Sequence, residues 1–137
     1  MTGEFLLDTG PLVAMLDQSE RLHGVCLEAL AGIRGRLLTT EAVITEAMYL
    51  LRSVPNGARN CLQVFTRGHA ALVPVSVPTL ERIEALMEKY ADTPMDYADA
   101  TLVALAEDVG VYDILTLDRR GFSAYRPDGQ GVFRILP

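Results

Sequence analysis

Residues 95–110, MDYADATLVALAEDVG, constrain the fold most, and VYDILTLDRRG follows them at once. The segment is apolar nearly throughout, which suits a helix buried on most sides rather than one laid on a surface. Asp96 and Asp99 stand one helical turn apart in it, so their carboxylates can point into one small volume. Residues 114–117 then read as a strand that delivers a third acid, Asp118, at its end. Buried carboxylates are costly unless something cationic neutralises them. The segment therefore reads as one built to hold a divalent metal.

Elsewhere the chain alternates short apolar strands with helical patterns. Residues 4–7 (EFLL) form an apolar run ending at Asp8, and Thr9-Gly10-Pro11 reads as a turn ahead of a short helix with Leu12, Val13 and Leu16. A helix over 19–33 carries Leu22, Val25, Cys26, Ala29, Leu30 and Ile33 at helical spacing, and 36–39 reads as a second strand. Thr40 is placed to cap the next helix, with Val43, Ala47, Leu50, Leu51 and Val54 as its core stripe and Glu46 beside that stripe. After the break at Pro55-Asn56-Gly57 come a helix to about 67 and a strand over 71–75. Ser76 then caps a helix with Leu80, Ile83, Met87 and Tyr90 on one face. Following the 95–109 helix and the 114–117 strand, a turn through Arg119-Arg120-Gly121 leads to a last strand over 131–136.

This alternation implies a three-layer α/β/α sandwich around a mostly parallel sheet, in which sites lie at the carboxyl ends of the strands. Asp8 ends the first strand and Asp118 the fourth. Glu46 sits in the early turns of the helix that leaves the second. The helix beginning at Asp96 runs antiparallel to the fourth strand, so its first turn reaches the same edge. Each acid also has a local explanation. Asp8 suits a turn or cap, Asp118 with Gly121 a type I turn, Asp96 with Asp99 a capping box, and Glu46 a solvated helix face. Local capping does not explain why all of them meet at one edge, and that convergence favours a site. Asp17, Glu81, Glu84, Glu88, Asp92, Glu107, Asp108 and Asp128 show no such convergence and read as surface charge.

A chain of 137 residues is expected to form one domain, residues 1–137, with a real core. No apolar run approaches the roughly 18 to 20 residues needed to span a bilayer, and no charged n-region with a cleavage site opens the chain. The expected location is cytoplasmic, where Cys26 and Cys61 read as isolated buried thiols. A net charge of −6 argues mildly against a protein that coats nucleic acid. Every cation except Lys89 is an arginine, a residue suited to bidentate phosphate contacts. Neither His23 nor His69 has a partner at catalytic spacing, and no Gly-rich phosphate loop occurs.

Taken together, FLLDTGPLVAML, TTEAVITEAMYLL, MDYADATLVALAE and ILTLDRRGF resemble, in that order and spacing, the PIN-domain ribonucleases, and among them the VapC-type toxins of bacterial toxin–antitoxin pairs. The resemblance spans nearly the whole chain. It implies a metal-dependent endoribonuclease whose catalytic acids are Asp8, Glu46, Asp99 and Asp118. Asp96 belongs to a subgroup reading M-D-x-A-D, and Thr9 and Thr116 stand where the family often has a supporting hydroxyl. The implied cofactor is Mg2+, for which Mn2+ can substitute, since both take oxygen donors. Asp8, Asp99 and Asp118 are the expected ligands, and Glu46 is the expected holder or base of the attacking water. Arg119 and Arg120 are expected to bind the substrate backbone. The implied partners are RNA, a cognate antitoxin and a second copy of the chain, with no membrane.

Two other classes compete. A magnesium-dependent phosphohydrolase or a phospho-receiver domain would also cluster acids at a carboxyl edge. The haloacid-dehalogenase-like phosphatases, however, want an Asp where Gly10 stands, and a receiver wants a lysine at the end of a late strand, whereas Lys89 lies in a helix. A non-catalytic protein-interaction module is the remaining alternative.

Overall fold

The computed structural model describes residues 2–137, so Met1 of the expected 1–137 domain lies outside the described residues. Strands β1 (Thr2–Leu7), β2 (Arg34–Thr39), β3 (Ala71–Leu72), β4 (Asp113–Leu115) and β5 (Arg134–Leu136) form one sheet. Its order is β3-β2-β1-β4-β5, and every pairing is parallel. Its inner strands carry continuous apolar runs because both faces are covered: Phe5, Leu6, Leu7, Ile114 and Leu115 are fully buried.

The covering helices are α1 (Thr9–Leu16), α2 (His23–Ala31), α3 (Glu41–Leu50) and α4 (Gly57–Thr66), then α5 (Val77–Lys89), α6 (Tyr97–Val109) and α7 (Arg119–Ala124). Parallel crossovers are right-handed. The steps β1 to β2 to β3 therefore put α1–α4 on one face, and the return past β1 to β4 and β5 puts α5–α7 on the other. The packing agrees, with α1 against α2, α3 and α4, and α5 against α6. The strand order reverses between β1 and β4, and in such sheets the crevice at that point is where ligands bind.

Several expected boundaries move. Thr9-Gly10-Pro11 is the first turn of α1, where the N–H that Pro11 lacks would have no helical partner anyway. The helix expected from residue 19 begins at His23, because Asp17 accepts from both the backbone N–H and the hydroxyl of Ser19 and turns the chain there. The third strand is cut to Ala71–Leu72, an edge position just ahead of Pro74, which has no N–H to give to a ladder. The fourth strand ends at Leu115 instead of 117, and the expected turn at 119–121 is the start of helix α7. The last strand is confined to Arg134–Leu136, preceded by a 3-10 turn at Pro127–Gly129 that periodicity did not foresee.

Of the expected core stripes, Val43, Ala47, Leu51, Ile83 and Tyr90 are buried, whereas Val25, Leu50 and Leu80 are exposed. Cys26 and Cys61 are buried free thiols, as expected. Glu107 and Asp128 are not simple surface charge. Glu107 takes a bidentate pair from Arg82, at 2.8 Å on each oxygen, and the Asp128 N–H at 2.6 Å, tying α5 and α6 to the 3-10 turn.

The β1–β2 pairing depends on two facing glycines. Gly3 and Gly35 are partners in register with φ of 120° and 142°, and a Cβ on Gly35 would fall 1.7 Å from the Gly3 carbonyl oxygen. A side chain at Gly35 would push the two strands apart, while at Gly3 the space is open and only the positive φ calls for glycine.

Candidate active site

Register builds the site. β1 pairs with β4 through Leu6–Ile114 and Leu7–Leu115, so the next residues out, Asp8 and Thr116, lie side by side past the strand ends. The Asp8 N–H extends the ladder to the Leu115 carbonyl at 2.9 Å. Thr116 Oγ1 donates to Asp8 Oδ2 at 2.6 Å, and Thr9 N donates to Asp8 Oδ1 at 2.8 Å, so Asp8 caps α1 as well. Both carboxylate oxygens thus accept a hydrogen bond, which a buried ionised group requires. Thr116 Oγ1 in turn accepts the Asp118 N–H at 3.0 Å.

Asp118 lies beyond the strand it was expected to end. It is the N-cap of α7, its Oδ1 accepting the Gly121 N–H at 3.0 Å. Asp96 and Asp99 do form the capping box of α6: Asp99 N donates to Asp96 Oδ1 at 2.8 Å, and Asp96 N reaches Asp99 Oδ2 at 3.4 Å. The second of these bonds is long for an N–H···O contact. A capping role therefore accounts for Asp96 far better than for Asp99, which is buried and whose Oδ2 also accepts the Tyr125 hydroxyl at 3.1 Å. Thr40, the N-cap of α3, makes no side-chain cap bond. Its hydroxyl meets Thr101 Oγ1 of α6 at 2.7 Å and pins the starts of the two helices together at the carboxyl edge.

These elements enclose a cleft of about 390 Å³ lined by Asp8, Thr9, Gly10, Glu46, Leu50, Pro94, Asp96, Asp99, Leu117 and Asp118. All of the acids expected at this edge therefore line one space. The two arginines expected to bind substrate do not line this cleft: both are exposed, and Arg119 donates to the Pro137 carbonyl. Leu50, Leu117 and Pro94 were not foreseen in the cleft. Leu50 lies one turn beyond Glu46 on α3, which could have signalled it. Tyr125 was also missed, because it falls in no periodic segment.

Crowding shows in the protonation equilibria. Burial above all, with the charges of Glu46 and Asp96 adding, raises Asp8 to about 6, against the Thr116 and Thr9 hydrogen bonds. Burial and then the charges of Asp96 and Asp8 raise Asp99 to about 7. Like charges gathered around the two buried carboxylates, Asp8 and Asp99, favour an added cation, while Asp96 and Asp118 are exposed. Thr9 Oγ1 is moreover a buried polar atom without a hydrogen-bond partner among the described residues. An all-oxygen donor set with an orphaned hydroxyl fits a hard divalent ion. Among the described residues, no three Asp, Glu, His or Cys side chains form a ready-made cage. Magnesium does not need one, since one or two carboxylates with several waters suffice.

Comparison with known proteins places the fold and the family. The PIN domain family model matches residues 5–126. Ribonuclease VapC26 of Mycobacterium tuberculosis is 32% identical over 134 residues, which cover 96% of this chain and 99% of that protein. Among solved structures, the fold is shared with M. tuberculosis VapC20, described as a sarcin–ricin loop cleaving toxin. That match has a TM-score of 0.75 and 17% identity over 80% of this chain and 86% of that one. A toxin–antitoxin complex from Klebsiella pneumoniae superposes at a TM-score of 0.68 and 16% identity, covering 97% and 96% of the two chains. VapBC2 of Rickettsia felis, bound to a promoter DNA fragment, superposes at 0.67 and 11% identity, covering 98% and 100%.

Proposed function

The chain belongs to the PIN-domain family, and on that premise we propose that it is an endoribonuclease, the toxin of a type II toxin–antitoxin pair. The observation that carries the reading is the meeting of Asp8, Glu46, Asp96, Asp99 and Asp118 in one cleft at the reversal of strand order. The phosphatase and receiver alternatives lose their ground with the family assignment.

The fitting cofactor is Mg2+, with Mn2+ as substitute. Asp8, Asp99 and Asp118 are the residues to hold it, directly or through water. When bound, such an ion supplies Lewis acidity at the scissile phosphate and a lowered pKa for water. The chain's own residues do the rest. Glu46 is half-buried in the cleft wall and has no protein hydrogen bond among the described residues, so it is free to orient the attacking water and take its proton. Thr116 and Thr9 N hold Asp8 in one rotamer, and Asp96 fixes the first turn of α6. With Arg119 engaged by the C-terminal carbonyl, phosphate contact falls first to Arg120.

The protein works as a single domain and a homodimer, and a cognate antitoxin silences it. The acidic cleft favours an Arg or Lys of that antitoxin as the plug. No helix of the described residues is long and apolar enough to cross a membrane.

The test is incubation of wild type and Asp8→Asn with total cellular RNA, in magnesium and in chelator, followed by mapping of the new 5′ ends. Discrete magnesium-dependent ends from wild type alone are expected. Equal cleavage by both proteins, or cleavage in chelator, would overturn the reading.

A further inference from the structure

We propose that Tyr125 is a positioning residue for Asp99, its phenol fixing the orientation in which that carboxylate meets the cleft. The proposal rests on the reading of Asp99 as a metal ligand. Tyr125 directly follows α7, the helix capped by Asp118, and its hydroxyl donates to Asp99 Oδ2 at 3.1 Å. The side chain is completely buried, so this bond satisfies a phenol that has no access to water. Its ring cannot swing away. It meets Phe122 edge to face at 5.1 Å and Tyr90 at 5.2 Å, while Phe122 packs on Phe133 at 5.3 Å.

The hydroxyl bonds Asp99 and lies across Gly121 from the Asp118 carboxylate. An added Cβ on Gly121 would lie 2.4 Å from Asp118 Oδ2 and 3.0 Å from the Tyr125 hydroxyl oxygen. Only a glycine leaves room for Asp118 and the phenol to converge there. With Oδ2 of Asp99 taken by the phenol, no hydrogen bond of the described residues engages Oδ1, which leaves it for a ligand. Groups that hold a metal-binding side chain through its other atom commonly govern metal affinity. The phenol thereby ties Asp99 of α6 to the end of α7, the helix that Asp118 caps.

The test is calorimetric titration with Mn2+ alone, together with melting in chelator, for wild type, Tyr125→Phe, Tyr90→Phe and Asp99→Asn. Tyr125→Phe keeps the ring contacts and removes only the hydroxyl. It is expected to weaken Mn2+ binding roughly 10- to 100-fold. Tyr90→Phe removes a hydroxyl of the same aromatic cluster that accepts the Arg126 N–H at 2.8 Å and does not touch Asp99. It should lower the melting temperature and bind Mn2+ like wild type. Wild-type affinity in Tyr125→Phe, or equal weakening in Tyr90→Phe, would overturn the proposal while leaving the acidic site intact. Loss of the wild-type signal itself, or no effect of Asp99→Asn, would instead remove the acidic-site reading and this role with it.

Discussion

Thr116 Oγ1 and Asp8 Oδ2, 108 positions apart in the chain, are joined by a 2.6 Å hydrogen bond at the one place where the strand order reverses. The same hydroxyl accepts the Asp118 N–H, so a single threonine sets two of the cleft's acids. Thr116→Val keeps the shape and loses both bonds. It should cost about 1 to 3 kcal/mol in urea unfolding, because a buried carboxylate loses a donor. It should also slow RNA cleavage at least tenfold, while Thr116→Ser retains most of both. Undiminished cleavage by the valine variant would remove Thr116 from the site.

The pH dependence of the metal-free protein follows from groups shifted in opposite directions. Asp8 and Asp99 have folded pKa values of about 6 and about 7, above the ordinary 3.8, so the folded state binds their protons more tightly than the unfolded state. Their contribution to stability is full below about pH 4 and is lost as pH rises through 6 and 7. Glu107 has the opposite sign. Its carboxylate is held below the usual range chiefly by the Arg82 hydrogen bonds, so its contribution is present above its ordinary 4.5 and is lost as pH falls through its lowered value. In chelator, melting temperature should therefore decline from about pH 5 to pH 8, and decline less in Asp99→Asn. A wild-type curve rising over that interval would contradict the crowding.

Glu107→Gln tests whether the α5–α6 network is separate from the chemistry. The Arg82 side chain is 43% exposed, so solvent screening limits the pair, and a loss of about 1 kcal/mol is expected. Cleavage by the folded variant should match wild type. A large loss of activity at unchanged stability would show that the network reaches the cleft.

Where the sequence was legible, one physical signal dominated. The apolar run of α6 and the β-strand runs at 4–7 and 114–115 betray burial on both faces, which only a covered parallel sheet provides. That architecture alone brings Asp8, Glu46, Asp99 and Asp118 to one edge. What stayed hidden depended on tertiary contacts. Leu50 fits the helical stripe of α3, yet it is exposed and lines the cleft with Glu46 instead of entering the core. Arg119-Arg120-Gly121 reads as a turn because a short helix offers too few residues for periodicity to emerge. Tyr125 carries no local signal at all, since its role exists only through Asp99, 26 positions away.

The central claim is that these acids form a metal site and are not merely helix caps, and thermal unfolding of wild type and Asp99→Asn tests it most directly. Each protein is melted in chelator and in millimolar-range Mg2+ or Mn2+. An ion bound only by the folded state should stabilise wild type by about 2.7 kcal/mol at a hundredfold excess over its dissociation constant. The account predicts that Asp99→Asn melts at or above wild type in chelator, because one buried like charge is gone, and that metal raises the wild-type transition far more than the mutant's. A cap lost in Asp99→Asn would cost roughly 0.5 to 2 kcal/mol with or without metal. If the mutant melts lower in chelator and neither protein responds to the ion, Asp99 is a cap and the metal-site account is wrong.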